Sequence, residues 1–360
     1  MGGLYVAEGR LGEASFDNPC CYRPGQFTGR RDEGSAGAAY HRRMVGPDEI
    51  AAAVEALRAG EVIGLPTETV YGLAADASNP AAVARIFAIK GRPSDHPVIV
   101  HLAEAADMSR WAREVPPVAA ALARRFWPGP LTLVLPRAPS VALAVTGGQD
   151  TVALRIPAHP VALAVLRAFG GGLAAPSANR YGRISPTTAA HVREDLGEQV
   201  RIVLDGGPSE VGLESTIVAC LDGRVTVLRP GRIGVEAIEA VSGPVTKATA
   251  AAPRVPGSVA SHYAPRTPVE LIASAAVADV VTAHQRDGVR VAALAPSSPA
   301  EAAAVAWIVA APDAERYGRD LYSHLRTLDQ AGADVIVVAR PPEAPDWVAI
   351  HDRLTRAAAG

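Results

Sequence analysis

The sequence predicts an α/β fold in two successive domains. Three observations carry this. Apolar runs of strand length alternate with amphipathic stretches of helix length from residue 47 to about 245, and a second alternation begins at residue 269. Between them, 246–268 holds Pro253, Pro256, Pro265 and Pro268 and is too polar and broken for an element. The 360 residues also suit two domains at roughly 150 residues each. The chain is read as a segment 1–43, a larger domain 44–245, a linker 246–268 and a smaller domain 269–360.

Residues 1–43 carry Gly, Arg, Asp and Asn without a period. They read as a disordered tail or an upstream start, with Met44 the natural beginning of the folded chain. Pro47 opens a helix whose face is Ile50, Val54 and Leu57 and which Gly60 stops. A strand at 62–65 runs to Pro66, and 71–76 is extended. Asn79-Pro80 starts the next helix, with Asn79 as cap and Val83, Ile86 and Phe87 as core face. Strands are predicted at 97–102, 131–135, 152–156, 201–205, 215–220 and 224–229, and helices near 103–112, 115–126 and 160–169. After the linker come strand 269–272, helix 273–286, strands 289–294 and 304–310, helix 315–331, strand 335–339 and helix 345–358, the order of a small doubly wound domain.

Composition narrows the function classes. Apolar residues at 49% and charged residues at 20% exclude a disordered chain. A net charge of −2 argues against a general polyanion-binding coat, although a local basic pocket is compatible with it. Three cysteines, Cys20, Cys21 and Cys220, support neither a disulfide framework nor a four-ligand zinc site, so a reducing, cytoplasmic compartment is expected. No apolar run is long enough for a membrane span, and the N-terminus lacks the pattern of a secretory signal.

The usual nucleotide loops, the His-Glu-x-x-His pair and the Gly-x-Ser-x-Gly elbow are all absent. PTETVYG, 66–72, places Thr67, Glu68 and Thr69 directly after a strand, where α/β sheets bind ligands or where hydroxyls satisfy a turn. KGRPSDHP, 90–97, ends a helix, so Lys90 and Arg92 complement its negative end or cradle an anion. TVALRIP, 151–157, puts Thr151, Ala153 and Arg155 on one strand face, and an Arg at mid-strand must reach solvent or an anion. Ser185 or Thr187 serves as a helix cap or marks an anion site at a helix start.

In this order and spacing, PTETVYGL, KGRP-x-x-HP-x-IVH, PGPLTLVL, TVALRIP-x-HP, APSANRYGRISPT, LDGG, LESTIV and VLRPG resemble the threonylcarbamoyl-AMP synthase family, also called YrdC-like, over about 47–240. SHYAP at 261–265 and RYGRDLYSHLRTLDQAGADVIVV at 316–338 resemble its long two-domain form. The resemblance implies a twisted mixed-sheet YrdC-like catalytic domain around a cationic hollow. It also implies a smaller Rossmann-like α/β domain, with the linker folded over the site. It implies synthesis of threonylcarbamoyl-adenylate from L-threonine, bicarbonate and ATP with release of pyrophosphate. That product serves threonylcarbamoylation of the tRNA adenosine beside the anticodon, through a downstream transfer complex.

Carried over by motif, Lys90 and Arg92 are the expected catalytic residues. Thr69, His101, Arg155, Ala175 and Ser215 resemble the L-threonine site, and Arg92, His96, Thr151, Ser177, Ser185, Arg229 and Tyr263 the ATP site. His96 departs from the family, where many members carry Asn. No metal-ligating residue is assigned. Mg²⁺ is expected with ATP, to clamp the phosphates. Lys90, Arg92, Arg155 and Arg229 would reduce repulsion between anionic reactants, so positioning and electrostatics carry the reaction without a covalent nucleophile. An unstable carbamate favours a closing lid, with the linker and Tyr263 as candidate.

Two other readings stand beside this one. A cationic hollow also suits a module for double-stranded RNA, but the near-neutral charge and missing aromatic platforms reduce it to weak RNA binding. Other carbamoyl or acyl transfer enzymes contain similar domains, but usually with zinc-finger-like cysteines that this chain lacks.

Overall fold

The structure, a computed structural model, describes residues 45–249, 251–257, 261–298 and 304–360. The expected tail at 1–43, with Cys20 and Cys21, lies outside the described residues.

The first sheet is mixed. Its strands are β1 (Ile63–Leu65), β2 (Gly72–Asp76), β3 (Ile99–His101), β4 (Leu131–Pro136), β5 (Thr151–Arg155), β6 (Leu173–Ala174), β7 (Ile202–Val203), β8 (Thr216–Leu221), β9 (Arg224–Arg229) and β10 (Thr246–Lys247). They lie in the order β10-β9-β8-β4-β5-β3-β6-β2-β1-β7. The β3–β5, β4–β8, β1–β7 and β9–β10 pairs are parallel and the others antiparallel. Most central strands are buried along their whole length, which explains why they read as continuous apolar runs rather than alternating ones.

Helix starts obey the local chemistry. Asn79 accepts from the Ala81 and Ala82 amides and opens Pro80–Lys90, and Gly91 at φ 62° ends it. Val83, Ile86 and Phe87 are buried, so the expected face is the one that packs. The predicted helix near 103–112 is a 3₁₀ turn, Ala105–Asp107, running into the short helix Met108–Trp111. The helices Val277–Arg286 and Val348–Ala357 likewise begin as 3₁₀ turns, a common way to tighten a helix end. The linker does contain one element. Strand β10 pairs with β9, and Thr246 and Thr226 share a 2.6 Å hydroxyl contact. Two residues are too few to leave a period in the sequence.

The second sheet is wholly parallel: β11 (Val269–Ile272), β12 (Val291–Ala295), β13 (Ala306–Val309) and β14 (Val335–Ala339), in the order β11-β14-β12-β13. Helix Ala314–Asp329 is capped by Asp313, which accepts from the Arg316 amide at 2.8 Å. Its buried Tyr317, Leu321, Tyr322 and Leu325 share one apolar cluster with Val70, Ile184 and Leu213 of the first domain and Tyr263 of the linker. The two domains therefore meet through a common core, each buried Leu contributing about 1.5–3 kcal/mol. Arg326 adds a 2.6 Å ion pair to Asp195 and a bond to the Ile184 carbonyl.

Candidate active site

One narrow cavity, partly open to solvent, lies against the first sheet and the linker. The loop after β1, the ends of β3, β5 and β9, the loop after β6 and the approach to β8 all contribute.

Thr67 builds the first wall. Its hydroxyl lies 2.9 Å from that of Thr69, donates to the Val70 carbonyl at 2.6 Å and receives the Val70 amide. Ser209 and the Val211 amide pin the same loop from outside. PTET is therefore both a satisfied turn and a cavity wall, the two readings its sequence left open.

His101 and Arg155 are register partners on parallel β3 and β5, so their side chains leave the same face. Arg155 donates from Nε to the Gly129 carbonyl at 3.2 Å, from Nη1 to Thr69 at 2.8 Å and from Nη2 to Glu68 at 2.6 Å. One N–H on each terminal nitrogen remains for a ligand. Burial, then the Arg155 charge, lowers His101 to about 3, which leaves a neutral imidazole. Its Nδ1 is buried and has no partner among the described residues.

Lys90 and Arg92 enter from the end of helix Pro80–Lys90. Lys90 Nζ donates to the carbonyls of Ser177 at 2.5 Å and Asn179 at 2.7 Å. It thus holds the loop after β6 against the cavity. Burial, then Arg92, lowers its pKa well below the usual lysine value. Arg92 donates to the Pro97 carbonyl, and burial lowers it to about 10. Its Nε is unpartnered among the described residues. Gly72 forms a bridge with Ser177, and a Cβ there would come within 3.2 Å of the Ala175 Cβ, a tight contact that would push the loop after β6 by a few tenths of an ångström.

Arg229, at the end of β9, donates through Nε and Nη2 to the Ser215 carbonyl and through Nη1 to the Pro256 carbonyl. Ser215 shares a 2.7 Å hydroxyl contact with Thr132. Pro256, Gly257, His262 and Tyr263 complete the wall from the linker. Tyr263 is a non-glycine residue at φ 61° and fully buried, and its hydroxyl has no partner among the described residues. Gly257, at φ 80°, packs so tightly on that hydroxyl that any Cβ would overlap it.

All the sequence-predicted residues line this cavity except three. Thr151 begins β5, about 13 Å along the strand from Arg155, and is partly exposed. His96 sits edge-on to Tyr181 with ring centroids 5.5 Å apart, so Tyr181 separates it from the wall. Burial and then Arg92 lower its pKa. Ser185 is fully buried behind the wall and donates to Glu214 at 2.6 Å.

Glu214, Tyr181 and His262 were not singled out from sequence, although LEST, NRYG and SHYAP contain them. Glu214 is the acid among the lining residues. Burial would raise its carboxyl, but Arg353, Arg229 and the Ser185 hydroxyl hold it at about 2. With Lys90, Arg92, Arg155 and Arg229 opposite this one clamped acid, the cavity is built for anions. Among the described residues no three His, Cys, Asp or Glu converge as a metal site.

Sequence and structure comparisons place the chain among known proteins. A family model described as "Telomere recombination" (Sua5_yciO_yrdC) matches residues 55–231, and one described as "Threonylcarbamoyl-AMP synthase, C-terminal domain" matches 233–359. The threonylcarbamoyl-AMP synthase of Bacillus subtilis (strain 168) is 40% identical over 323 residues, 87% of this chain and 93% of that protein. That of Pyrococcus abyssi (strain GE5 / Orsay) is 37% identical, over 84% of this chain and 91% of its own. The crystal structure of P. abyssi Sua5 complexed with L-threonine superposes with a TM-score of 0.82 at 36% identity, covering 88% of this chain and 96% of that one. The chain thus belongs to the threonylcarbamoyl-AMP synthase family in its two-domain form, and its reaction is the synthesis of threonylcarbamoyl-adenylate that serves tRNA modification.

Proposed function

We propose that L-threonine, bicarbonate and ATP meet in this one cavity, with threonine at the Arg155 end and ATP at the Arg229 end. The observation that carries the reading is that Thr69, His101, Arg155, Ala175 and Ser215 share a wall with Lys90, Arg92, Ser177, Arg229 and Tyr263. A relative solved in complex with L-threonine supports a threonine site in this fold.

The remaining N–H groups of Arg155 take the threonine carboxylate, with Thr69 beside them. Neutral His101 offers an uncharged hydrogen-bond partner at the same end. The threonine amine combines with bicarbonate to give a carbamate and water. A carbamate oxygen then attacks the α-phosphate, and the α–β phosphoanhydride bond breaks to release pyrophosphate. Arg92 and Arg229 offset the charge gathered on the phosphates. Lys90 acts by fixing the Ser177 loop. Mg²⁺ enters as the counter-ion of ATP and so as part of the substrate, because the Glu214 oxygens are already taken by Ser185, Tyr322 and Arg353. Thr151, His96 and Ser185 act from outside the wall, at the rim or through Glu214.

The linker serves as the lid, since Arg254 ties it to Asp95 and Gly147, and the Ala264 amide ties it to the Gly182 carbonyl. The product passes to a tRNA-modifying transfer complex in the cytoplasm. Among the described residues no helix is long and apolar enough to cross a membrane. Calorimetric titration with L-threonine tests the placement. Saturable binding by the wild type that disappears in Arg155→Ala is expected, and equal binding by both removes Arg155 from the threonine site.

A further inference from the structure

Glu214 is an acid in a cavity built for anions, directly beside the Ser215 carbonyl that receives Arg229. Left free, it would compete with phosphate oxygens for that guanidinium. Instead both its oxygens are occupied. Ser185 donates to Oε1 at 2.6 Å, Tyr322 to Oε2 at 3.0 Å, and Arg353 Nε to Oε2 at 2.8 Å. Tyr322 and Arg353 belong to the C-terminal domain, on helices Ala314–Asp329 and Val348–Ala357.

The same two side chains hold the linker tyrosine. The Tyr322 ring stacks on Tyr263 with centroids 5.7 Å apart and planes at 28°. The Arg353 guanidinium lies 5.1 Å from the centroid of the Tyr263 ring. Arg353 has no exposed side-chain surface, and its Nη2 donates to the Pro230 carbonyl, one residue beyond Arg229. A buried arginine is a costly way to join two domains, because desolvation offsets much of the attraction. The shared apolar cluster and the Arg326–Asp195 pair already join them.

We infer that Arg353 and Tyr322 are positioning residues for the ATP end of the cavity: they engage the Glu214 oxygens so that the carboxylate makes no direct ion pair with nearby Arg229, and they fix the Tyr263 ring. This rests on the placement of ATP proposed above, and it gives the C-terminal domain a part in the reaction. Releasing Glu214 lets it neutralise Arg229, which weakens ATP and leaves the Arg155 end intact.

The test is steady-state pyrophosphate release by the full chain, with ATP and L-threonine varied separately. Tyr322→Phe removes one donor and keeps the ring. Its KM for ATP is expected to rise about three- to tenfold, with the threonine KM and melting temperature near wild type. Arg353→Gln is expected to raise the ATP KM further, and adding Glu214→Gln to it restores much of the loss, because an amide carries no charge to compete. If Arg353→Gln does not fold, Tyr322→Phe decides alone. An unchanged ATP KM in folded variants overturns the inference, as does an equal rise in both KM values that Glu214→Gln fails to rescue. A wild type whose pyrophosphate release ignores threonine and bicarbonate removes the underlying placement, and the inference with it.

Discussion

Arg155 Nη2 donates to Glu68 Oε1 at 2.6 Å, and the two side chains are 4% and 7% exposed. With the bonds to Thr69 and Gly129, this fixes the plane of the guanidinium before any substrate arrives. A lysine has the charge but lacks the fork, and cannot reach three fixed acceptors and a carboxylate together. Arg155→Lys is therefore expected to raise the threonine KM about 10- to 100-fold and to leave the ATP KM near wild type. Equal effects on both substrates would mean that Arg155 serves the whole cavity rather than one end.

Selection of threonine over serine rests on one methyl group. The apolar wall near Thr69 comes from Val70, Ile99 and Ala175. A methyl in such a pocket gives roughly 10- to 200-fold discrimination in kcat/KM. Competition between the two amino acids in the pyrophosphate assay measures the ratio, and a ratio of one would show that this wall does not read the side chain.

Acid should destabilise the protein well before the general acid limit. His101 and His262 are both lowered to about 3, chiefly by burial, against an ordinary 6.5. Between these values the unfolded chain holds the extra protons, so stability is full above pH 6.5 and falls as pH drops toward 3. Each histidine adds a slope on the order of 1.4 kcal/mol per pH unit within that window. Glu214 acts in the same direction lower down, losing its contribution as pH falls from 4.5 toward its folded value of about 2. The urea midpoint is expected to be lower at pH 5 than at pH 7.5, and His101→Gln should flatten the difference. Equal midpoints at the two pH values would contradict this.

Lys90 is a scaffold for the loop after β6, and its removal strands two carbonyls. Lys90→Met should leave those of Ser177 and Asn179 without their donor, at about 1–3 kcal/mol each. Faster hydrogen exchange at the Ala178 and Tyr181 amides is expected, together with a fall in kcat. Wild-type exchange at both amides would return Lys90 to a purely electrostatic role.

The sequence made most of this wall legible because its residues cluster in short motifs at strand ends. Arg155 was visible as a charge within an apolar strand, and Asn79-Pro80 as a helix start, since both signals are local. Ser185 was legible as a candidate but not as a partner of Glu214, because that contact joins residues far apart in the chain. Arg353 left no signal at all. It sits among exposed-looking charges near the C-terminus, and only the docking of helix Val348–Ala357 on the first domain shows that it is buried. Strand β10 was missed for the opposite reason, since two residues carry no period.

The most direct test of the central claim is pyrophosphate release from ATP with Mg²⁺, with product identified by mass, for the wild type and Arg155→Ala side by side. The wild type is expected to require both L-threonine and bicarbonate and to yield a threonylcarbamoyl-adenylate mass, and the variant to fail at the same threonine concentration. Product formed by Arg155→Ala at the wild-type rate, or pyrophosphate release independent of either co-substrate, would contradict the assignment of this cavity to the reaction.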